Sequence, residues 1–117
     1  MNPVCELLCN HRSVRRYTDE AIPEADLRDI IQAGQAASTS SNIQARSVIR
    51  VTDAEKREQL AKLAGNQSYI INCAEFLVFC ADLRHLAQCC VLHDVSMVTG
   101  MTEQFMVATI DATLMAQ

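Results

Sequence analysis

Six consecutive residues, His11-Arg12-Ser13-Val14-Arg15-Arg16, hold three of the chain's ten basic side chains and one of its three histidines. The whole chain carries a formal charge of −4, so these cations are a local feature of an acidic protein. A guanidinium presents a planar fork of donors that matches phosphate oxygens, and Ser13 adds a short hydroxyl. The chemistry that fits is anion binding. The plainer reading is a solvated turn between two helices, since charge runs usually face water. Further on, Ser38-Thr39-Ser40-Ser41-Asn42 gathers four hydroxyls and a carboxamide. Such side chains compete for backbone hydrogen bonds and favour a polar loop. Gln67 is a single polar residue following a helix stop at Gly65-Asn66. Asp111 is a lone carboxylate in an apolar run. It needs a partner, either an interface arginine or a solvent channel.

Several function classes fall away on composition. Nucleic-acid binding wants an extended positive surface, and aromatics make up only 4 % of the chain with no Trp to stack on bases. Six cysteines stand at positions 5, 9, 73, 80, 89 and 90 without a C-x-x-C pair. The start Met-Asn-Pro-Val-Cys-Glu lacks the basic and apolar regions of a signal peptide. No run of about 18 apolar residues exists to cross a membrane. The expectation is therefore a cytoplasmic protein with no membrane or nucleic-acid partner, its cysteines mostly reduced and buried as small hydrophobes. Cys89-Cys90 with His93 is poor zinc spacing, so no metal site is expected. His85 and His93 read as surface or helix-end residues.

The elements that must position these residues follow from periodicity and caps. At 117 residues the chain fits one domain. Pro3 opens a short helix that ends near Asn10, and Cys5/Cys9 share its face. Glu24 to Ala36 has helical spacing at Leu27, Ile30, Ile31 and Ala33/Gly34, with acids in the first turn. Ser47 to Thr52 is β-branched and strand-like. Asp53 caps a helix from Ala54 to Ala64, with Leu60 and Leu63 expected inward. Gln67 to Asn72 is a short turn. Phe76 to Ala81 is an apolar run of strand length, expected to be covered on both faces. A short helix follows from Leu83 to about Gln88.

From about Asp94 to Gln117 only Gly100 interrupts helical spacing, which predicts a helix of about 36 Å that is apolar nearly all round and therefore buried. Met97/Val98, Met101, Phe105, Ala108, Ala112 and Met115 form its main stripe. It stops without a capping Gly or a terminal cation, the pattern expected of a truncated chain. Two strands alone also make a meagre sheet.

His11-Arg12-Ser13-Val14-Arg15-Arg16-Tyr17-Thr18-Asp19-Glu20-Ala21-Ile22 resembles the opening signature of the nitroreductase/flavin reductase superfamily. The Ser-rich loop with Asn42-Ile43-Gln44, then Gly65-Asn66-Gln67, the Glu75-to-Asp82 strand and Asp111-to-Gln117 follow in that family's order. The branch most resembled is the oxygen-insensitive NADPH nitroreductase A type. The resemblance runs over all 117 residues, read as the N-terminal half of a single FMN-binding domain.

The resemblance implies an α+β nitroreductase-like fold, here incomplete, with helices around a small sheet and a long central helix at the C-terminus. It implies a homodimer with FMN at the subunit interface. By position, Arg12 and Arg15 hold the FMN phosphate and ribityl chain, and His11 and Ser13 line the same pocket. Ser38, Thr39, Ser40, Ser41 and Asn42 reach the flavin of the partner protomer, and Gln67 bonds near its ring. The implied activity passes two electrons from NADPH to nitroaromatics, quinones or flavins. The cofactor carries the chemistry, so no catalytic protein residue is expected. The alternatives from the residues alone are a non-catalytic helical interaction module, docking through its apolar last helix, or an inactive fragment.

Overall fold

The computed structural model describes residues 1–117. In chain order the elements are α1 (Pro3–Cys9), α2 (Glu24–Gln35), a 3-10 turn (Ser40–Asn42), β1 (Arg46–Arg50), α3 (Ala54–Leu63), α4 (Tyr69–Asn72), β2 (Leu77–Ala81), α5 (Arg84–Leu92) and α6 (Thr102–Ala116). The chain divides into two compact units that alternate along the sequence. One comprises Met1–Glu20 with Asp53–Ala74, the other Ala21–Thr52 with Glu75–Gln117.

In the first unit, Asn2 caps α1 by accepting the Val4 N–H at 2.9 Å, with Pro3 beside it where a missing N–H costs nothing. Asp53 caps α3 through the Lys56 N–H at 3.0 Å. The small core of this unit is Ala61 of α3 against Ile70 of α4. Arg57 donates to the Cys73 and Ala74 carbonyls at 2.6 and 3.3 Å, which ties the end of the unit back onto α3. Leu63 does not turn inward as expected; it is 85 % exposed. The buried position is Ala61, because the inward stripe of a short helix is set by what packs on it, here α4.

In the second unit, β1 and β2 pair antiparallel, with Arg46 opposite Ala81, Val48 opposite Phe79 and Arg50 opposite Leu77. α6 packs on this sheet and against α2. The core is Leu27, Ala45, Val51, Ala108, Ala112 and Met115. A side chain at Gly34 of α2 would meet the Met115 carbonyl oxygen at 3.0 Å, so the absence of one sets how closely these helices approach. Arg50 at the end of β1 bonds both oxygens of Glu75, at 2.5 and 2.8 Å, and Glu24 at 2.6 Å. Those two carboxylates hold its guanidinium protonated well above the ordinary range.

Four expectations need correction. The last helix starts at Thr102 and not near Asp94, so its 15 residues span about 22 Å. Asp94 at φ 53° and Gly100 at φ 82° take the intervening chain out of helical geometry. Nor is α6 buried all round: Phe105, Met106, Ile110 and Leu114 are exposed while Ala108, Ala112 and Met115 face the sheet and α2. β2 is half-buried along most of its length and not covered on both faces as expected; α6 is the helix that packs on it. The cysteines are free but none is fully buried; Cys5, Cys9 and Cys89 are exposed. They lie on helices whose outer faces this chain leaves uncovered. No helix is long and apolar enough to cross a membrane.

Candidate functional site

The cationic stretch lies in the first unit, in the irregular segment that follows α1. All of His11, Arg12, Ser13, Arg15 and Arg16 are exposed. Arg12 folds back on its own backbone, donating to the His11 carbonyl at 2.7 Å and the Cys9 carbonyl at 3.3 Å. That places a cation at the C-terminal end of α1, where the helix dipole favours one. Tyr17 closes the segment by donating to the Val14 carbonyl at 2.9 Å. Its ring also lies 6.2 Å from that of Tyr69, tilted by 57°, an arrangement that suits the aromatic quadrupoles. The stretch is thus anchored at both ends. Arg15 and Arg16 have no carboxylate partner, and both are available to an anion.

Gln67 belongs to the same unit. Gly65 at φ 85° and Asn66 at φ 62° turn the chain out of α3, and the Gln67 N–H then bonds the Ala61 carbonyl at 3.1 Å. The Gln67 side chain is left exposed.

The Ser-rich loop belongs to the second unit. Ser41, Asn42 and Gln44 adopt φ of 49°, 54° and 55°. Left-handed backbone at non-glycine residues costs about 1–2 kcal/mol each and persists only where surroundings enforce it. Two charged residues supply the enforcement. Asp111 of α6 is completely buried; its Oδ1 accepts the Ser40 N–H at 3.2 Å and its Oδ2 the Ala45 N–H at 3.0 Å. Arg46, 9 % exposed, donates to the Gln35 carbonyl at 2.8 Å and the Ala37 carbonyl at 3.4 Å. Both ends of the loop are therefore clamped. Inside it, the Ile43 N–H reaches the Ser40 carbonyl at 2.9 Å and the Gln44 amide reaches Asn42 Oδ1 at 3.0 Å.

This loop forms one wall of a solvent-open cleft of about 1020 Å³. Ser41, Asn42 and Gln44 line it together with Ser47, His85 and Cys89. Ser47 donates to Asp82 Oδ2 at 2.5 Å, and Asp82 Oδ1 accepts the Arg84 N–H at 2.8 Å. These two bonds, the Ser47 one foremost, hold the Asp82 carboxyl below its ordinary value.

The sequence-predicted residues thus form two groups, His11 to Arg15 with Gln67 in one unit and Ser38 to Asn42 in the other. Sequence reasoning left the partner of Asp111 open between an arginine and solvent; the partners are two backbone amides. Arg46 and Tyr17 were missed as supports. The signal for Arg46 was a cation at the junction of a polar loop and a β-branched strand, a place where its charge must find carbonyls. No group of His, Cys, Asp or Glu is arranged to hold a metal ion.

Comparison with known proteins matches residues 8–115 to the model of the nitroreductase family. An oxygen-insensitive NADPH nitroreductase of Salmonella typhimurium is 43 % identical over 118 residues, covering 100 % of this chain and 47 % of that protein. An NADPH-dependent FMN reductase of Bacillus subtilis is 47 % identical over 120 residues, covering 100 % and 48 %. The crystal structure of nitroreductase A from Vibrio parahaemolyticus superposes with a TM-score of 0.89 at 45 % identity, covering 99 % of this chain and 48 % of that one. The chain spans about half the length of the curated relatives it matches. Its mixed arrangement of helices around a small antiparallel sheet is the nitroreductase fold over that span. The chain belongs to the nitroreductase family.

Proposed function

We propose that this chain serves an FMN-dependent oxidoreductase that draws on NADPH and reduces small acceptors such as nitroaromatics, quinones or flavins. The observation that carries the reading is the loop of Arg12, Ser13 and Arg15. It is anchored by Tyr17, exposed and without a carboxylate partner in a chain of net charge −4. It stands where the resemblance puts the cofactor phosphate, and relatives named as using NADPH and FMN align over its whole length.

The residues present fit the cofactor. Arg12 and Arg15 supply charge and donor forks for a phosphate, with His11 and Ser13 beside them. Ser38, Thr39, Ser40, Ser41 and Asn42 supply neutral donors suited to a ring edge, on a backbone that Asp111 holds at Ser40 and Ala45. Gln67, exposed after its turn, supplies one more carboxamide. FMN, when bound, provides the hydride and two-electron chemistry, so this chain needs no nucleophile or general acid of its own. The chain's share is to bind, orient and shield.

The reading includes a homodimer in which the Ser-rich loop serves the flavin of the partner protomer. The exposed Phe105, Met106, Ile110 and Leu114 of α6 support it, because large apolar side chains gathered on one helix suit contact with a partner. The same face is what supports the second reading, a non-catalytic interaction module. Adding FMN to the purified chain and then NADPH separates the two. Quenched flavin fluorescence followed by bleaching of the oxidised-flavin bands is the expected result. A chain that leaves FMN fluorescence unchanged sinks the oxidoreductase reading.

A further inference from the structure

We infer that Asp111 is a positioning residue: from α6 it fixes the backbone between Ser40 and Ala45 in the strained form that presents Ser41 and Asn42 to the proposed flavin. The inference rests on the FMN reading and adds to it a residue that touches no cofactor atom.

Three observations carry it. First, Asp111 is completely buried, yet no cation neutralises it. A buried carboxylate is costly unless its oxygens are hydrogen-bonded, and here each oxygen takes one backbone N–H of the same loop. Second, those two N–H groups bracket the strained residues. Ser40 precedes and Ala45 follows Ser41, Asn42 and Gln44, all of which have positive φ. One side chain thus fixes the distance between the two ends of a tight excursion. Third, the loop's own backbone bonds are few and short-range, from the Ile43 N–H to Ser40 and from the Arg46 N–H at the start of β1 back to Gln44. They shape the turn, and the Asp82 N–H donating to the Ala45 carbonyl at 3.0 Å ties only its far end to the sheet. Asp111 ties it to α6, and Arg46 separately ties its flank to the end of α2.

A residue wanted for packing alone would be apolar here, like its neighbour Ala112 and like Met115, both buried on the same helix. A carboxylate is suited to something else: holding two donors at a fixed separation. Preorganised backbone lets a ligand bind without the cost of ordering the loop at that moment.

Amide hydrogen exchange on the full chain, wild type and Asp111→Asn, tests this alongside FMN titration of both. The carboxamide keeps one acceptor and nearly the same shape, so the helix packing survives; Asp111→Ala removes both acceptors and extends the series. The expected result is an exchange rate for residues 38–45 raised about tenfold or more by Asp111→Asn, with the β1–β2 amides unchanged, and an FMN Kd weakened by a similar factor. Unchanged exchange in the loop, or equal acceleration in loop and sheet, overturns the positioning role. Equal FMN affinity in the two proteins overturns it as well. A wild-type chain that binds no FMN overturns the flavin reading instead, and the exchange comparison then still decides whether Asp111 fixes the loop.

Discussion

Asp111 accepts the Ala45 N–H at 3.0 Å across 66 residues of sequence, and with its other oxygen it accepts the Ser40 N–H at 3.2 Å. A helix near the C-terminus thereby sets the shape of a loop in the first half of the chain. Removing the carboxylate leaves two amide groups without their acceptor, one of them on fully buried Ala45. Each such loss typically costs on the order of 1–3 kcal/mol. Asp111→Ala is therefore expected to lower the unfolding free energy by about 3 kcal/mol, read as a shift of the urea midpoint with an unchanged slope. A loss under about 0.5 kcal/mol would mean the loop holds itself.

The approach of α2 to α6 at Gly34 gives a second prediction. Any Cβ there meets the Met115 carbonyl oxygen at 3.0 Å and the Met115 Cγ at 3.1 Å. A branched side chain adds two more atoms to that contact, and overpacking typically costs about 1–3 kcal/mol. Gly34→Val should lower stability by about 2 kcal/mol. Replacing exposed Ala33 in the same helix by Val should cost only the propensity difference, about 0.5 kcal/mol. Thermal melts of the pair check it.

Asp82 gives the pH dependence. Its carboxyl is held below the ordinary value of 3.8, first by the Ser47 hydroxyl and then by the Arg84 N–H. Folding therefore favours the ionised form. That contribution is complete above the ordinary value and is lost as pH falls through the lowered one. In Asp82→Asn the acid limb of the stability curve should flatten, while Ser47→Ala should move the Asp82 titration back up toward its ordinary position. Carboxyl NMR titration of wild type and Ser47→Ala reads this directly. Identical titrations would remove Ser47 as the main cause.

Much of the scaffold was legible in the sequence because local signals and tertiary packing agree. Asp53 before an alternating helix, Pro3 at a first turn and acids at the start of α2 all mark starts that the structure keeps. The last helix was overread because Met97, Val98 and Met101 continue its apolar spacing; the positive φ of Asp94 and Gly100 that breaks it has no apolar signature. Burial was the least legible property. Leu63, Phe105 and three cysteines look like core residues by type, but exposure depends on which faces another element covers. At the candidate site, the cations and hydroxyls were visible by type. Their supports were not, since Asp111 and Arg46 act on backbone groups, and a backbone amide leaves no mark in a sequence.

If the loop from His11 to Arg16 holds the phosphate of FMN, the chain must distinguish FMN from riboflavin, which lacks that phosphate. Binding of each is measured by fluorescence quenching to wild type and to the Arg12→Gln/Arg15→Gln variant. Wild type is expected to bind FMN at least tenfold more tightly than riboflavin. The variant should lose that preference, and salt should weaken only the wild-type FMN complex. Equal affinity of the wild-type chain for the two flavins, or a variant that keeps the full preference for FMN, would contradict it.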